Sequence, residues 1–265
     1  MERCRIVQDP ALRLYHVELS RDMLEGAHFA VTPGAPERAA AIAARLEDPR
    51  QLSDHRGLAG YLGRLNGVPV LVQSTGMGGP STEIVVQELL MLGIDTFLRV
   101  GTTGSIQPEV AVGTTIITEA AVRLDGTSDH YLPPAFPAVA DLHLTYSLLK
   151  AAQSLGMPYA CGLTVSSASF YAGQERYDSA TGYVPRHLQG SLEEWRRLGV
   201  LNYEMEAATL FALARSAGAR AGCVCGAIAQ RSQSESPARD RIHAIEEQTI
   251  TVALAGLSAY TESHR

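Results

Sequence analysis

From residue 28 onward, runs that read as β-strands alternate with runs that read as helices, and this alternation limits the chain to a sheet covered by helices. Residues 28–32 read as a first strand. Pro33-Gly34-Ala35-Pro36 turns it into an alanine-rich helix reaching about Leu46, with Pro36 suited to the first helical position. Residues 58–72 read as a hairpin closed by Asn66-Gly67, whose second strand is 68–73. Further strands are expected at 96–100, 114–122, 159–167, 200–204 and 219–230. Helices are expected at 81–92, at 141–155 with Leu142, Leu148, Leu149, Ala152 and Leu155 toward the core, at 207–217 and from 239 to about 260. Ser191-Leu192-Glu193-Glu194 reads as a capping box opening a short helix to Leu198. No linker, repeat or composition shift divides the chain, so residues 1–265 are expected to form a single α/β domain with a mixed sheet.

Composition excludes several classes of function. A chain of 265 residues that is 46% hydrophobic is globular, and no apolar run reaches the ~18 residues a membrane helix needs. The first residues lead into no apolar segment of a secretory signal. Four cysteines make no disulfide framework in so long a chain, and Cys161, Cys223 and Cys225 lie in strand-like runs as core thiols. A reducing, cytoplasmic compartment is expected. The net charge of −6 argues against a nucleic-acid partner, so any anion site must be made locally by a few arginines. The histidines show no ligand spacing, and neither a Walker motif nor a Gly-x-Ser-x-Gly elbow occurs.

Several stretches carry chemistry. Arg99 sits in the apolar strand 96–100, where a guanidinium is costly unless something anionic meets it. Gly101-Thr102-Thr103-Gly104 follows, expected as a turn aiming N–H groups and hydroxyls at one point; with Arg99 it outlines a phosphate site, the alternative being an ion pair with an internal carboxylate. Arg38 in a first helical turn opposes the helix dipole, which makes sense beside a bound anion. Phe170-Tyr171-Ala172-Gly173-Gln174-Glu175-Arg176-Tyr177 could stack a planar ligand and hydrogen-bond its edge, or could be a surface loop. Asn202-Tyr203-Glu204-Met205-Glu206 offers carboxylates that suit a sugar diol or a helix dipole. The glycines of residues 74–81 imitate a dinucleotide fingerprint. Ser81 replaces the third glycine and no acid ends the next strand, which favours close backbone approach to a ligand or neighbouring chain instead.

Residues 99–108, 170–178 and 202–210, supported by 123–126, 136–141 and 190–195, resemble the nucleoside phosphorylase family, and within it the uridine phosphorylases. The resemblance implies a three-layer α/β/α sandwich with a central mixed sheet, assembled as a hexamer built from dimers with shared active sites. It implies reversible phosphorolysis of uridine to uracil and ribose 1-phosphate, in pyrimidine salvage. Gly34, Arg38, Arg99 and Thr102 match the family's phosphate ligands, and Arg56 matches an arginine lent by the neighbouring subunit. Gln174 and Arg176 match the uracil-binding pair, with Phe170 and Ile228 about the base. Glu206 and the Met205 backbone match the ribose-diol group, and His16 a residue reaching the neighbour's ribose. Arg99, Gln174, Arg176 and Glu206 are the catalytic set this implies. No cofactor and no catalytic metal is implied, inorganic phosphate being a co-substrate. Two positions depart from the family: Ala35 replaces a usual Asp in the phosphate loop, and Gly57 replaces the Glu that holds a potassium ion at the dimer interface. Relatives with a purine base or a hydrolytic step, and a nucleoside-binding protein without turnover, are the competing readings.

Overall fold

The structure is a computed structural model that describes residues 6–263. Its strands are β1 (Phe29–Pro33), β2 (Glu47–His55), β3 (Leu58–Leu65), β4 (Val68–Gln73), β5 (Thr96–Ser105), β6 (Thr115–Leu124), β7 (Ala138–Val139), β8 (Tyr159–Ser167), β9 (Asn202–Glu204) and β10 (Arg220–Gln230). Its α-helices are α1 (Pro36–Ala43), α2 (Gly79–Met91), α3 (Leu142–Ser154), α4 (Ser191–Arg197), α5 (Ala207–Ala217) and α6 (Ile242–Ser263).

One mixed sheet runs in the order β10-β6-β8-β9-β5-β1-β4-β3-β2, and β10 pairs again with β5. The first five strands therefore close into a ring, and β1, β4, β3 and β2 extend from β5 as an open wing. Alternation along β5 divides the core. Phe97 joins Ala30, Leu71, Cys223 and Cys225 beneath α2 and α5. Leu98 and Val100 join Val31, Val70, Val72 and Val224 beneath α1, α3 and α6. Helices thus cover both faces, giving the expected three layers.

Several local expectations are corrected. Gly101-Thr102-Thr103-Gly104 is not a turn: it continues β5, with Gly101 to Ser105 paired against β10 from Cys225 to Gln230. A side chain on Gly101 would lie 2.9 Å from Cys225 Sγ and 3.0 Å from Arg99 Nη2, so glycine is needed here for packing. β2 is a strand the sequence does not announce, because it is a mostly exposed outer strand without apolar alternation. Its start at Glu47 stops α1 at Ala43, short of Leu46. Ser191 is inside α4 rather than its cap; the N-cap is Gly190, and the Glu175 carboxylate accepts from the N–H groups of Gly190 (2.5 Å) and Leu192 (2.7 Å) in place of a capping box. Leu142 and Leu155 are exposed, leaving Leu144, Leu148 and Ala152 as the buried stripe of α3. Cys223 and Cys225 are core thiols as expected, but Cys161 is only half-buried.

Candidate active site

A cavity of about 550 Å³ opens where β1, β5, β9 and β10 end. Strand ends are where open α/β sheets place ligands, because loops and helix starts converge there. Gly34, Arg38, Arg99, Thr102, Phe170, Gln174, Arg176, Met205, Glu206 and Ile228 all line it. Sequence separations of well over a hundred residues are closed by the ring of strands.

Arg99 is almost fully buried and carries two carboxylates: Nε lies 3.0 Å from Glu204 Oε2, and Nη2 lies 2.5 Å from Glu206 Oε2. Burial works against the guanidinium charge, but Glu206 and Glu204 more than reverse this and hold Arg99 above the ordinary arginine range. The ion-pair alternative therefore holds, and the paired Arg99 also lines the cavity. Glu204 accepts from the backbone N–H groups of Glu206 (2.8 Å) and Ala207 (2.9 Å) and from the Ser166 hydroxyl. Burial pushes its carboxyl up, and Arg99 opposes the shift. One side chain therefore ties the β5 arginine to the start of α5, where Met205 and Glu206 sit.

The glycine turn at 74–81 now has a structural account. Gly78 adopts φ +84° and donates its N–H to Glu206 Oε1 at 2.5 Å. The Gly76 N–H donates to the Gly34 carbonyl at 3.0 Å, and a Cβ on Gly34 would meet the Gly76 carbonyl oxygen at 3.1 Å. The close approach expected of these glycines is to the chain's own cavity loops. Arg38 is half-buried and pairs with Glu246 of α6 at 2.5 Å.

The other half of the cavity is made of loops. Gln174 and Arg176 are buried on the segment after β8, and the Arg176 guanidinium lies 4.4 Å above the Phe170 ring. Arg176 Nη1 contacts Glu235 at 2.5 Å, and Arg231 reaches the same carboxylate through Nε at 2.7 Å and Nη2 at 2.9 Å. Arg231 Nη2 also donates to the Gln174 carbonyl at 2.8 Å. Burial and the neighbouring Arg231 charge lower the Arg176 pKa, with Glu235 opposing them. Arg231, Glu235 and Glu246 were missed in the sequence. Arg231 and Glu235 stand on the irregular segment after β10, where a short charged stretch was the only signal, and Glu246 lies within α6 with no motif around it. Glu204 was visible beside Glu206, but its tie to Arg99 was not.

His16 and Arg56 are not among the residues lining this cavity. His16 Nδ1 contacts Glu88 Oε1 at 2.6 Å, and Arg56 is exposed in the β2–β3 turn at φ +57°. The two segments meet at Tyr15, whose exposed ring packs edge-on to His16 and His55. Among the described residues no cluster of His, Cys, Asp or Glu is arranged to hold a metal ion.

Comparison with known proteins adds an independent line. The phosphorylase superfamily matches residues 28–260. Uridine phosphorylase of Escherichia coli (strain K12) is 48% identical over 241 residues, 91% of this chain and 95% of the relative. Uridine phosphorylase of Thermococcus kodakarensis is 47% identical over 209 residues, 79% of this chain and 75% of that protein. Guanosine phosphorylase of Halorubrum lacusprofundi is 34% identical over 197 residues, covering 74% and 76%.

Proposed function

The chain belongs to the phosphorylase superfamily, and on that premise we propose that it catalyses the reversible phosphorolysis of uridine to uracil and ribose 1-phosphate, a pentosyl transfer. The observation that carries this is the meeting in one cavity of Arg99 and Arg38, a diol-sized carboxylate at Glu206, and the Gln174–Arg176 pair. Inorganic phosphate is the co-substrate and no cofactor is required.

Phosphate, held by Arg38, Arg99, Thr102 and the Gly34 backbone, attacks C1′ as the glycosidic bond loosens toward an oxocarbenium-like state. Glu206 and the Met205 backbone hold the ribose hydroxyls. The C1′–N1 electron pair leaves with uracil, and Gln174 with Arg176 stabilises the growing negative charge. Phe170 and Ile228 pack about the base. This serves pyrimidine salvage and nucleoside catabolism in the cytoplasm. Among the described residues no helix is long and apolar enough to cross a membrane.

We assign discrimination against purines to the end of β10, where Ala227-Ile228-Ala229-Gln230 offers no acid to protonate a purine ring. The nearby Glu235 is engaged by Arg176 and Arg231. The test is uracil release from uridine with and without phosphate or arsenate, and with inosine as competitor. Release should require the anion and inosine should compete poorly. Equal release in phosphate-free buffer would make the chain a nucleosidase.

The packing of exposed Tyr15 against His16 and against His55, the residue before Arg56, supports a dimer in which each chain completes its partner's site, three such dimers forming a hexamer. Unfolding Arg56→Ala and Arg99→Ala chains together and reassembling them should restore roughly a quarter of the sites, since half the dimers are mixed and each mixed dimer has one intact site. Mixed oligomers no more active than either parent would refute donation of Arg56.

A further inference from the structure

We propose that Glu235 is a positioning residue for departure of the base: it locks two guanidiniums side by side and so fixes the direction in which Arg176 presents its charge. The inference rests on the phosphorolysis reading and deepens it.

Arg231 is the fixed end of the arrangement. Its side chain is fully buried, and its Cδ and Cγ pack 3.2 and 3.3 Å from where a Cβ on Gly104 of β5 would lie. It is held again by the Gln174 carbonyl and lies 5.4 Å from the Tyr203 ring centre. Arg176 meets the same strand only with the tip of its fork, Nη2 lying 3.8 Å from the Gly104 Cβ position. It belongs to a loop, and it stacks on Phe170, itself 46% exposed. Two guanidiniums this close repel, and Arg231 pulls down the Arg176 pKa accordingly. The Glu235 carboxylate offsets the repulsion with contacts to both, at 2.5 Å to Arg176 and 2.7 and 2.9 Å to Arg231.

Direction follows from the same contacts. Because Glu235 takes Arg176 Nη1, the other arm of the fork, Nη2, lies toward Gly104, 3.8 Å from its Cβ position and beside the cavity. When the C1′–N1 bond breaks, its electron pair passes to N1 of uracil and spreads onto the two carbonyl oxygens, while a phosphate oxygen forms the new bond to C1′. A guanidinium held in one orientation stabilises that charge without reorganising at the moment of cleavage. Glu235 does this through Arg176 and need not touch the substrate.

The experiment compares wild type, Glu235→Gln and Glu235→Asp on uridine and on 5-fluorouridine, whose base is a better leaving group. Phosphate KM and thermal unfolding are measured alongside. Glu235→Gln should lose about ten- to a hundredfold in kcat/KM on uridine, the loss of a charge-assisted contact. It should lose less on 5-fluorouridine, keep phosphate KM within about twofold, and be partly rescued by Glu235→Asp. The partly exposed carboxylate makes the substitution compatible with folding, which the unfolding curve checks. Glu235→Gln within about twofold of wild type on uridine overturns the inference alone. So do equal losses on both nucleosides with a raised phosphate KM, because that pattern belongs to general support of the cavity. A wild-type chain without uridine turnover overturns the phosphorolysis reading and this inference with it.

Discussion

The two halves of the cavity are built differently. In the half proposed to hold phosphate and ribose, Arg99 stands on a central strand paired along its length, and its two carboxylates come from the β9–α5 junction, one of them tied to four donors. In the half proposed to hold the base, Gln174, Arg176 and Phe170 ride on the segment after β8, and Arg231 and Glu235 on the segment after β10, joined mainly by side-chain contacts. The difference follows chemistry. Phosphate and ribose are common to the phosphorolysis of all ribonucleosides, so residues proposed to hold them can be cast into the sheet. The base varies between relatives, named here for both uridine and guanosine, and its ligands sit where loops can change without breaking the sheet.

The largest expected contrast is between Arg99→Ala and Arg176→Ala. Removing Arg99 leaves Glu204 and Glu206 buried without their cation, which should cost about 3–5 kcal/mol of stability and about 10²–10³ in turnover. Removing Arg176 leaves Glu235 with Arg231 and partly exposed, so stability should fall by no more than about 1 kcal/mol while turnover still suffers. Urea unfolding beside steady-state kinetics decides it. Equal destabilisation by the two substitutions would break the distinction between a sheet-borne and a loop-borne half.

A smaller effect sharpens the ribose assignment. Glu206→Ala should lower kcat/KM for uridine by about ten- to a hundredfold, through loss of charge-assisted hydrogen bonds to the diol. The loss should be smaller for 2′-deoxyuridine, which lacks one hydroxyl. Identical losses on the two nucleosides would confine Glu206 to steadying Arg99 and the Gly78 turn. The smallest expected effect is Glu175→Ala. It removes the carboxylate that accepts from Gly190 and Leu192 at the start of α4, worth about 1 kcal/mol. KM for uridine should rise a few-fold with phosphate KM unchanged, roughly the penalty of a loosened loop; a matching rise for phosphate would show that the halves are not mechanically separate.

Most strands and helices were legible because period and turn chemistry are local: Asn66-Gly67 marks the β3–β4 hairpin, and Gly218 at φ +72° ends α5. β2 was not, since an exposed edge strand needs no apolar alternation. Arg99 announced itself, because a guanidinium in an apolar strand demands a partner. Which partner it has, Glu204 and Glu206 about a hundred residues later, depends on β9 pairing with β5. The sequence by itself determined a sheet between helices, a strand arginine in need of anionic partners and a family resemblance that implied roles for Gln174, Arg176 and Glu206. Only the tertiary structure decided that Gly101 to Gly104 runs as strand, that Glu175 caps α4 in place of Ser191, and that Glu235 bridges two arginines. Each of those depends on atoms distant in sequence meeting within a few ångströms, and no local pattern encodes such a meeting.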